Sequence, residues 1–268
     1  MQKTIVFENG HKSLVDDRVF ELVSRLQTQT KSTEPRQLQR KVIANLCRGD
    51  CVEIGALSAP AYFPHATSVL YADVVSAEEA KRSLEKIGYL GYHQRPFVAV
   101  DVIFDKQKPP LISLASDSKD CIFSSHSLEH SPNPIAALSD YLRVLKHGGI
   151  VYSIIPNKKY TYDRFRLPTK INKLVEKFKR NDWSYTLDEY RDVFVNTDTH
   201  VVYDNSTEED IERAFEENNG HHHIYVYEEK NTLELIHFLA IKTGCELTYF
   251  DSSNHHDIHF AIRANKKA

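Results

Sequence analysis

No part of this sequence is a long apolar run. The 268 residues contain nothing close to the roughly 18 consecutive apolar residues of a membrane-spanning helix, so no transmembrane segment is predicted. The first residues also lack a basic stretch followed by an apolar one, so we expect no signal peptide. The cysteines form no Cys-x-x-Cys unit and have no zinc spacing (Cys47, Cys51, Cys121 and Cys245). Scattered thiols are typical of a reducing compartment, and we expect a cytoplasmic protein.

Basic residues are not in excess either. The formal net charge is −3, whereas a general nucleic-acid binder is normally basic, so no nucleic-acid partner is expected. Hydrophobic residues make up 41% of the chain, which is enough apolar material for a globular core. The length suits one large α/β domain, or one domain with an appendage.

The apolar pattern predicts strands that alternate with helices. Two N-terminal helices are expected, over residues 12–29 and from Pro35 to Leu46. Further helices are expected over residues 77–88, 134–146 and 229–243, where Gly148-Gly149 and Gly244 supply stop signals for the last two. Strands are expected near residues 50–55, 68–73, 97–104, 120–125, 150–155, 245–250 and 257–263. This alternation predicts a mostly parallel sheet of seven strands with an antiparallel C-terminal hairpin.

The chain divides into an N-terminal helical extension, residues 1–47, and a main domain, residues 48–268. Within the main domain, residues 158–228 break the strand–helix rhythm and are polar, charged and aromatic, with three short helical patterns. We interpret them as an insertion over the carboxyl edge of the sheet, serving as a lid or an acceptor-binding part. Its basic side chains form a solvated face, or else attract a phosphate or carboxylate of an acceptor.

Polar or small residues follow four of the predicted strands. In an open α/β sheet, ligands bind outside the carboxyl ends of the strands. The first strand ends in Glu53-Ile54-Gly55-Ala56-Leu57, and the next three end in Asp73, Asp105 and Ser124-Ser125-His126. A carboxylate after the second strand can accept both hydroxyl hydrogens of an adenosine ribose. Taken alone, these residues are a weak signal, because a turn glycine and surface carboxylates are the alternative explanation.

The segment after the fourth strand carries a more specific pattern. His126-Ser127-Leu128-Glu129-His130-Ser131-Pro132-Asn133-Pro134 leads into a helix, and Leu142-Arg143-Val144-Leu145-Lys146-His147-Gly148-Gly149 leads into a strand. This order resembles the class I S-adenosylmethionine-dependent methyltransferases. In that family a Leu-Glu-His run and a proline-capped helix precede a Leu-Lys-Pro-Gly-Gly turn. The resemblance covers residues 48–165 well and residues 221–268 more loosely.

One branch of that family, often linked to glycan assembly, matches two further stretches. They are Ile155-Pro156-Asn157-Lys158-Lys159-Tyr160-Thr161-Tyr162-Asp163 and a later His-x-His pattern at His221 and His223. The first loop departs from the family's Glu/Asp-x-Gly-x-Gly-x-Gly, because Gly55 is its only glycine. The Gly-x-Gly-x-x-Gly of NAD enzymes is absent as well.

The resemblance implies a Rossmann-like fold and S-adenosyl-L-methionine as cofactor. It implies cofactor contacts from the residues at the strand ends: Glu53, Gly55, Ala56, Leu57, Asp73, Asp105, Ser125 and His126. A base beside the acceptor hydroxyl takes up its proton, and the candidates are His223, His221 and His130, with His223 first. A solvated loop, or a hydrogen bond at the start of a helix, explains these histidines equally well. No metal site is predicted, since no predicted helix carries a His-x-x-x-His pair or a metal-binding carboxylate triad.

The expected function is O-methylation of a sugar hydroxyl in a glycan or a nucleotide sugar. Aromatic side chains of the insertion suit the mixed surface of a sugar ring (Tyr160, Tyr162, Phe165, Trp183, Tyr185 and Tyr190). Its basic residues suit an acidic acceptor. Two alternatives stay open: a non-catalytic binding module with this fold, which the reduced glycine loop favours, and a phenol O-methyltransferase. The sequence leaves the oligomeric state open.

Overall fold

The computed structural model describes most of the chain. The described residues are 2–6, 12–16, 21, 35–86, 96–198, 206–217, 222–253 and 256–266. Within them the strands are β1 Gln2–Val6, β2 Lys12–Asp16, β3 Arg48–Ile54, β4 His65–Asp73, β5 Val102–Ile103, β6 Lys119–Ser125, β7 Leu145–Pro156, β8 Glu246–Asp251 and β9 Asp257–Arg263. The α-helices are α1 Pro35–Leu46, α2 Ala77–Lys86, α3 Pro134–Val144, α4 Ile171–Arg180, α5 Leu187–Asn196, α6 Glu208–Glu217 and α7 Glu229–Thr243.

The described strands form a single sheet in the order β1-β2-β8-β9-β7-β6-β3-β4-β5. Strands β3 to β7 pair in parallel, and β9 runs antiparallel to both β7 and β8. The order reverses between β3 and β6, so the carboxyl ends of these two strands flank the crevice in which such sheets bind ligands. The predicted Rossmann-like sheet of seven mostly parallel strands with an antiparallel C-terminal hairpin is confirmed.

The N-terminus corrects one prediction. Residues 12–16 were expected to begin a helix, but they form β2, which pairs antiparallel with β1 and with β8. Leu14 lies opposite Phe250 and Val15 opposite Tyr249, so apolar positions of the predicted helix instead extend the sheet to nine strands among the described residues. Apart from Glu21, the rest of that predicted helix lies outside the described residues. The division of the chain at residue 47 stays a prediction.

Two other boundaries differ from the sequence pattern. Helix α3 ends at Val144, and Gly148-Gly149 lie inside β7 rather than stopping the helix. Gly148 has a φ of +80°, and a Cβ on Gly149 would come within 3.0 Å of the carbonyl oxygens of Asp120 and Lys146. The third strand was expected over residues 97–104 but is reduced to Val102–Ile103.

The sheet carries a core on each face. Helix α1 covers one face, where Val42 and Ile43 pack with Cys51, Cys121 and other buried residues of the strands. The other face packs against α3, α4, α5 and α7 through buried residues such as Leu138, Leu174, Tyr190 and Leu235. The insertion is therefore anchored in the main core by α4 and α5. None of the helices in the described part of the chain is long and apolar enough to cross a bilayer.

Helix α7 offers a matched test of this core. Leu239 is fully buried, whereas Ile241 on the same helix is 69% exposed. We expect Leu239→Ala to lower the free energy of unfolding by about 2–5 kcal/mol, because it removes buried methyl groups and leaves a cavity. Ile241→Ala should change it by less than about 0.5 kcal/mol. Urea unfolding followed by circular dichroism measures both, and equal losses would contradict the packing of α7.

Candidate functional site

A small pocket opens at the carboxyl ends of β3 and β4. Asp73 contributes a carboxylate, while Ala56, Leu57 and Phe97 supply apolar surface. Its full lining is Ala56, Leu57, Tyr71, Ala72, Asp73, Val75, Ser76, Ala77, Ala80, Phe97, Val98 and Val100. Three residues that the sequence predicted as cofactor contacts, Ala56, Leu57 and Asp73, are thus brought together here.

The loop after β3 is held by backbone geometry and by Glu53. Gly55 and Leu57 have φ angles of +74° and +49°, so the chain turns sharply here despite its single glycine. The carboxylate of Glu53 is buried behind the loop and accepts the backbone N–H of Ala61 at 2.9 Å. Val98 N–H donates to the carbonyl of Leu57 and closes the pocket from the other side. Glu53 therefore shapes the pocket without lining it.

The remaining predicted cofactor residues lie apart from this lining. Asp105 is exposed, accepts the N–H of Gln107 and pairs with Lys108 at 3.0 Å. Ser125 is half-buried at the end of β6. His126 follows with a φ of +49°, an uncommon angle for a side-chain-bearing residue. Cofactor contacts from these residues, and from Glu53 and Gly55, stay predictions.

A second polar group lies beyond the end of β6, in the Leu-Glu-His run. Glu129 is fully buried, and its Oε1 lies 3.5 Å from Nδ1 of His126. The same oxygen is 3.8 Å from Nε2 of His130 and 3.8 Å from Nε2 of His223. Asn133 caps helix α3 through the N–H of Ala136, which fixes where the chain leaves this cluster. Two of the three predicted catalytic histidines, His130 and His223, are thus brought together, whereas His221 lies outside the described residues.

Two hydrogen bonds orient these imidazoles. Nδ1 of His223 lies 2.7 Å from Oδ2 of Asp163, which is itself buried and paired with Arg166 at 2.8 Å. Nδ1 of His130 lies 2.8 Å from the carbonyl oxygen of His222. Since the carboxylate and the carbonyl accept, each Nδ1 carries a hydrogen, and each Nε2 is left to face Glu129.

Burial and charge shift the pKa values in this cluster. Burial alone would raise the pKa of Glu129, but the imidazoles of His126, His130 and His223 outweigh it and hold the pKa at about 2. Burial lowers the pKa of His130 to about 4, although the carboxylate of Glu129 opposes this. His126 is exposed on one side, and the carboxylates of Asp257 and Glu129 outweigh the desolvation of its ring and raise its pKa to about 10. The cluster thus combines an ionised carboxylate with a neutral imidazole at neutral pH.

Sequence reasoning missed the residues that organise this cluster. Glu129, Asp163 and Arg166 were not predicted as site residues, although Glu129 stands in the quoted Leu-Glu-His run. Arg166 was expected in a basic, acceptor-facing surface, but only 1% of it is exposed, and it binds Asp163 and Asp192. An arginine preceded by an aspartate three residues earlier was the one available signal of this pairing.

Many side chains of the predicted acceptor surface are buried in the core or form ion pairs within the fold. Trp183, Tyr185 and Tyr190 were expected to face a sugar, yet all three are buried. Most basic side chains of the insertion pair with carboxylates within the fold, as Arg164 with Asp198, Arg166 with Asp163, Lys173 and Lys177 with Glu189, and Lys179 and Arg180 with Glu176 do. Helical segments rich in both signs of charge form such pairs readily, which is why the local excess of basic residues overstated the free positive charge.

Glu53 provides a test of the loop geometry. Burial raises the pKa of Glu53 to about 7, although the hydrogen bond from the N–H of Ala61 lowers it in part. The folded pKa lies above the ordinary value, so the protonated form contributes stability below about pH 4.5, and that contribution is lost as pH rises through about 7. Without ligand, the unfolding free energy of Glu53→Gln should rise relative to the unsubstituted protein by about 1–3 kcal/mol between pH 5 and pH 8. Urea unfolding at both pH values measures it; the exposed Glu78→Gln is the control, and an identical pH dependence in both variants would contradict the prediction.

Comparison with known protein families gives a match for the central segment of the chain. Residues 76–153 match the family model described as "Methyltransferase domain". The match covers less than a third of the chain and runs from the start of α2, through the Leu-Glu-His run and α3, into β7. No curated protein is similar enough in sequence to count as a match.

Solved structures with overall similarity include several methyltransferases. One is a SAM-dependent methyltransferase from Aquifex aeolicus, at 14% identity, 90% coverage of this chain, 96% of that chain and a TM-score of 0.42. Another, from Methanosarcina mazei, has 17% identity and a TM-score of 0.43, and the match covers 84% of this chain and 98% of that chain. The CurJ carbon methyltransferase has 14% identity and a TM-score of 0.42. The match covers 91% of this chain but only 58% of that longer chain. Likeness at this level says nothing about the substrate.

The pocket suits the cofactor of this family. Asp73 stands where a carboxylate can bind the ribose hydroxyls, and the apolar lining of Leu57, Phe97 and Val98 suits the flat face of an adenine ring. The strand order, the matched segment and the pocket agree. The sheet has the Rossmann-like order of the class I methyltransferase fold, residues 76–153 match a methyltransferase domain, and S-adenosylmethionine is the cofactor that these features support.

Proposed function

We propose that the protein methylates an oxygen atom, and that the acceptor is a sugar hydroxyl of a glycan or a nucleotide sugar. S-adenosylmethionine, when bound, supplies the methyl group. The observation that carries the proposal is the cluster of Glu129, His130 and His223 at the carboxyl edge of the sheet. A sugar hydroxyl is a weak nucleophile until its proton is withdrawn, and these side chains are suited to act on that proton.

The orientation of His223 supports this role. Its Nδ1 is held by the buried carboxylate of Asp163, so its Nε2 lone pair has a defined direction. Tyr162 stacks on the imidazole with ring centroids 4.5 Å apart and limits its rotation. A histidine fixed by a carboxylate in this way is the arrangement that activates hydroxyl groups in many enzymes. His130, held by the carbonyl of His222, is the second catalytic residue in the proposal.

The sugar acceptor rests on fewer residues than the sequence suggested. Lys158 and Lys159 follow β7 at the carboxyl edge, where their charge favours a phosphate or carboxylate on the acceptor. Tyr160 and Tyr162 are half-buried there, and Phe165 is 65% exposed. These side chains present aromatic faces of the kind that sugar rings contact.

Cofactor binding is tested at the strand ends. Asp73→Ala should weaken the affinity for S-adenosylhomocysteine by about 1.5–3 kcal/mol, because it removes a charged acceptor of the ribose hydroxyls. Asp105→Ala should have a smaller effect, since Asp105 does not line the pocket. Isothermal titration calorimetry on both variants decides between the two acids, and an unchanged affinity in Asp73→Ala would remove Asp73 from the site.

The acceptor class is tested by release of S-adenosylhomocysteine with a panel of acidic sugars, neutral sugars and catechols. We expect turnover of sugars, faster with acidic ones and reduced by added salt. His223→Ala and His130→Ala should each lower turnover by about 10²–10⁴-fold while leaving cofactor affinity unchanged.

His147→Ala is the matched control, because it removes an exposed histidine in β7, outside the cluster. It should keep full activity. Turnover of catechols alone would replace the sugar acceptor by a phenol, and tight cofactor binding without turnover of any acceptor would favour the binding-module alternative.

A further inference from the structure

The buried carboxylate of Glu129 is incompletely satisfied by protein groups. It is 0% exposed, and neither of its oxygen atoms has a hydrogen-bond partner. Its closest nitrogen is Nδ1 of His126 at 3.5 Å, beyond the roughly 2.7–2.9 Å of a charge-assisted hydrogen bond. Buried charges in proteins are normally paired at hydrogen-bond distance or bound to a metal ion. The carboxylate therefore needs a further positive partner.

The two histidines beside it direct their Nε2 atoms towards the same place. Nδ1 of His130 faces the His222 carbonyl and Nδ1 of His223 faces the Asp163 carboxylate, and both of those groups accept hydrogen bonds. The Nε2 atom of each ring is therefore left to meet a ligand, and both Nε2 atoms face Oε1 of Glu129 at 3.8 Å. A cation among these three atoms would pair with the buried carboxylate and give both Nε2 atoms a partner.

We propose that Glu129, His130 and His223 bind one divalent transition-metal ion, through Oε1 of the glutamate and Nε2 of each histidine. The three ligand atoms lie within 4.8 Å of one another. Metal–ligand bonds of about 2.0–2.2 Å place ligand atoms about 3–3.5 Å apart, so the three side chains have to close in by up to roughly 1 Å each. Three protein ligands leave open positions for water or an acceptor oxygen.

The groups behind the ligands fit the same assignment. Histidines that bind metals usually donate their other ring N–H to a carboxylate or a backbone carbonyl, and Asp163 and His222 provide one of each. Asp163 is held in turn by Arg166. The backbone carbonyl of Glu129 accepts the N–H groups of Ile224 and Tyr225, which fixes the His223 segment against the glutamate.

The donor set selects the kind of ion. Two imidazoles and one carboxylate suit Zn²⁺ or Fe²⁺, whereas Mg²⁺ prefers oxygen ligands throughout. The sequence predicted no metal site because Glu129 and His130 are adjacent and the third ligand lies in a distant loop, so no helical spacing exists. An ion here lowers the pKa of a neighbouring hydroxyl. That role, unlike the binding itself, rests on the proposed O-methylation.

Metal binding is tested on the full chain after chelator treatment. Titration calorimetry with Zn²⁺ and the visible absorption of bound Co²⁺ should both give one ion per chain, and Mg²⁺ should not compete. Glu129→Gln, His130→Ala and His223→Ala should each weaken Zn²⁺ binding by at least 100-fold. Asp163→Asn, which alters a positioning residue, should weaken it by about 10–100-fold.

The controls separate this site from adventitious binding and from unfolding. His147→Ala removes an exposed histidine and should bind Zn²⁺ as the unsubstituted protein does. Zn²⁺ should also raise the melting temperature of the unsubstituted protein but not that of Glu129→Gln, which keeps the shape of the side chain. If a ligand variant fails to fold, Asp163→Asn provides the test instead, because Asp163 positions His223 but is not itself a ligand.

Two results would overturn the metal site: no Zn²⁺ or Co²⁺ bound by the unsubstituted protein, or equal binding by Glu129→Gln. Methylation that survives chelator treatment and depends on His223 would leave the proposed function standing with a histidine as direct base. One bound ion without turnover of any acceptor would leave the metal site standing and reject the proposed O-methylation.

Discussion

The buried carboxylate of Glu129 joins the sheet to the inserted region, and the geometry of the candidate site depends on it. Its backbone carbonyl accepts two N–H groups from residues 224 and 225, and its side chain meets imidazoles from both sides of the junction. A charge can remain in such a place only if the surrounding groups compensate for it. Here His126 provides a positive partner, while Asp163 and Arg166 hold His223 in position. The segments that contribute to the site are thus fixed relative to one another by electrostatics as much as by apolar packing.

The cofactor pocket and the histidine cluster arise from different strands of the same edge. The pocket belongs to β3 and β4, whereas the cluster follows β6, and β3 and β6 are neighbours in the sheet. The reduced glycine content of the first loop is accommodated by the positive φ of Leu57 and by Glu53, which accepts the N–H of Ala61. The hydrogen bond to the carboxylate helps this loop to keep a sharply turned backbone that a run of glycines would otherwise allow.

The insertion contributes more to the core than its composition indicates. Tyr190 is fully buried, and Lys177 is largely buried against Glu189. Polar and aromatic side chains in this region therefore hold α4 and α5 against the sheet. A lid movement of the insertion has to involve segments that are less deeply packed than these, since moving α4 or α5 would expose part of the main core.

The sequence by itself determined the alternation of strands and helices, and hence the parallel sheet, because side-chain periodicity follows directly from backbone geometry. It also placed Asp73 and the loop at Ala56 and Leu57 at one edge, since successive parallel strands end on the same side. It did not determine that residues 12–16 are a strand, because a short apolar pattern fits a helix equally well until β8 supplies hydrogen-bond partners. Nor could it show which basic and aromatic residues of the insertion are buried. Only the tertiary structure decided that Glu129, His130, Asp163 and His223 converge. These residues come from segments far apart in the chain, so the distances between them depend on how the insertion packs onto the sheet.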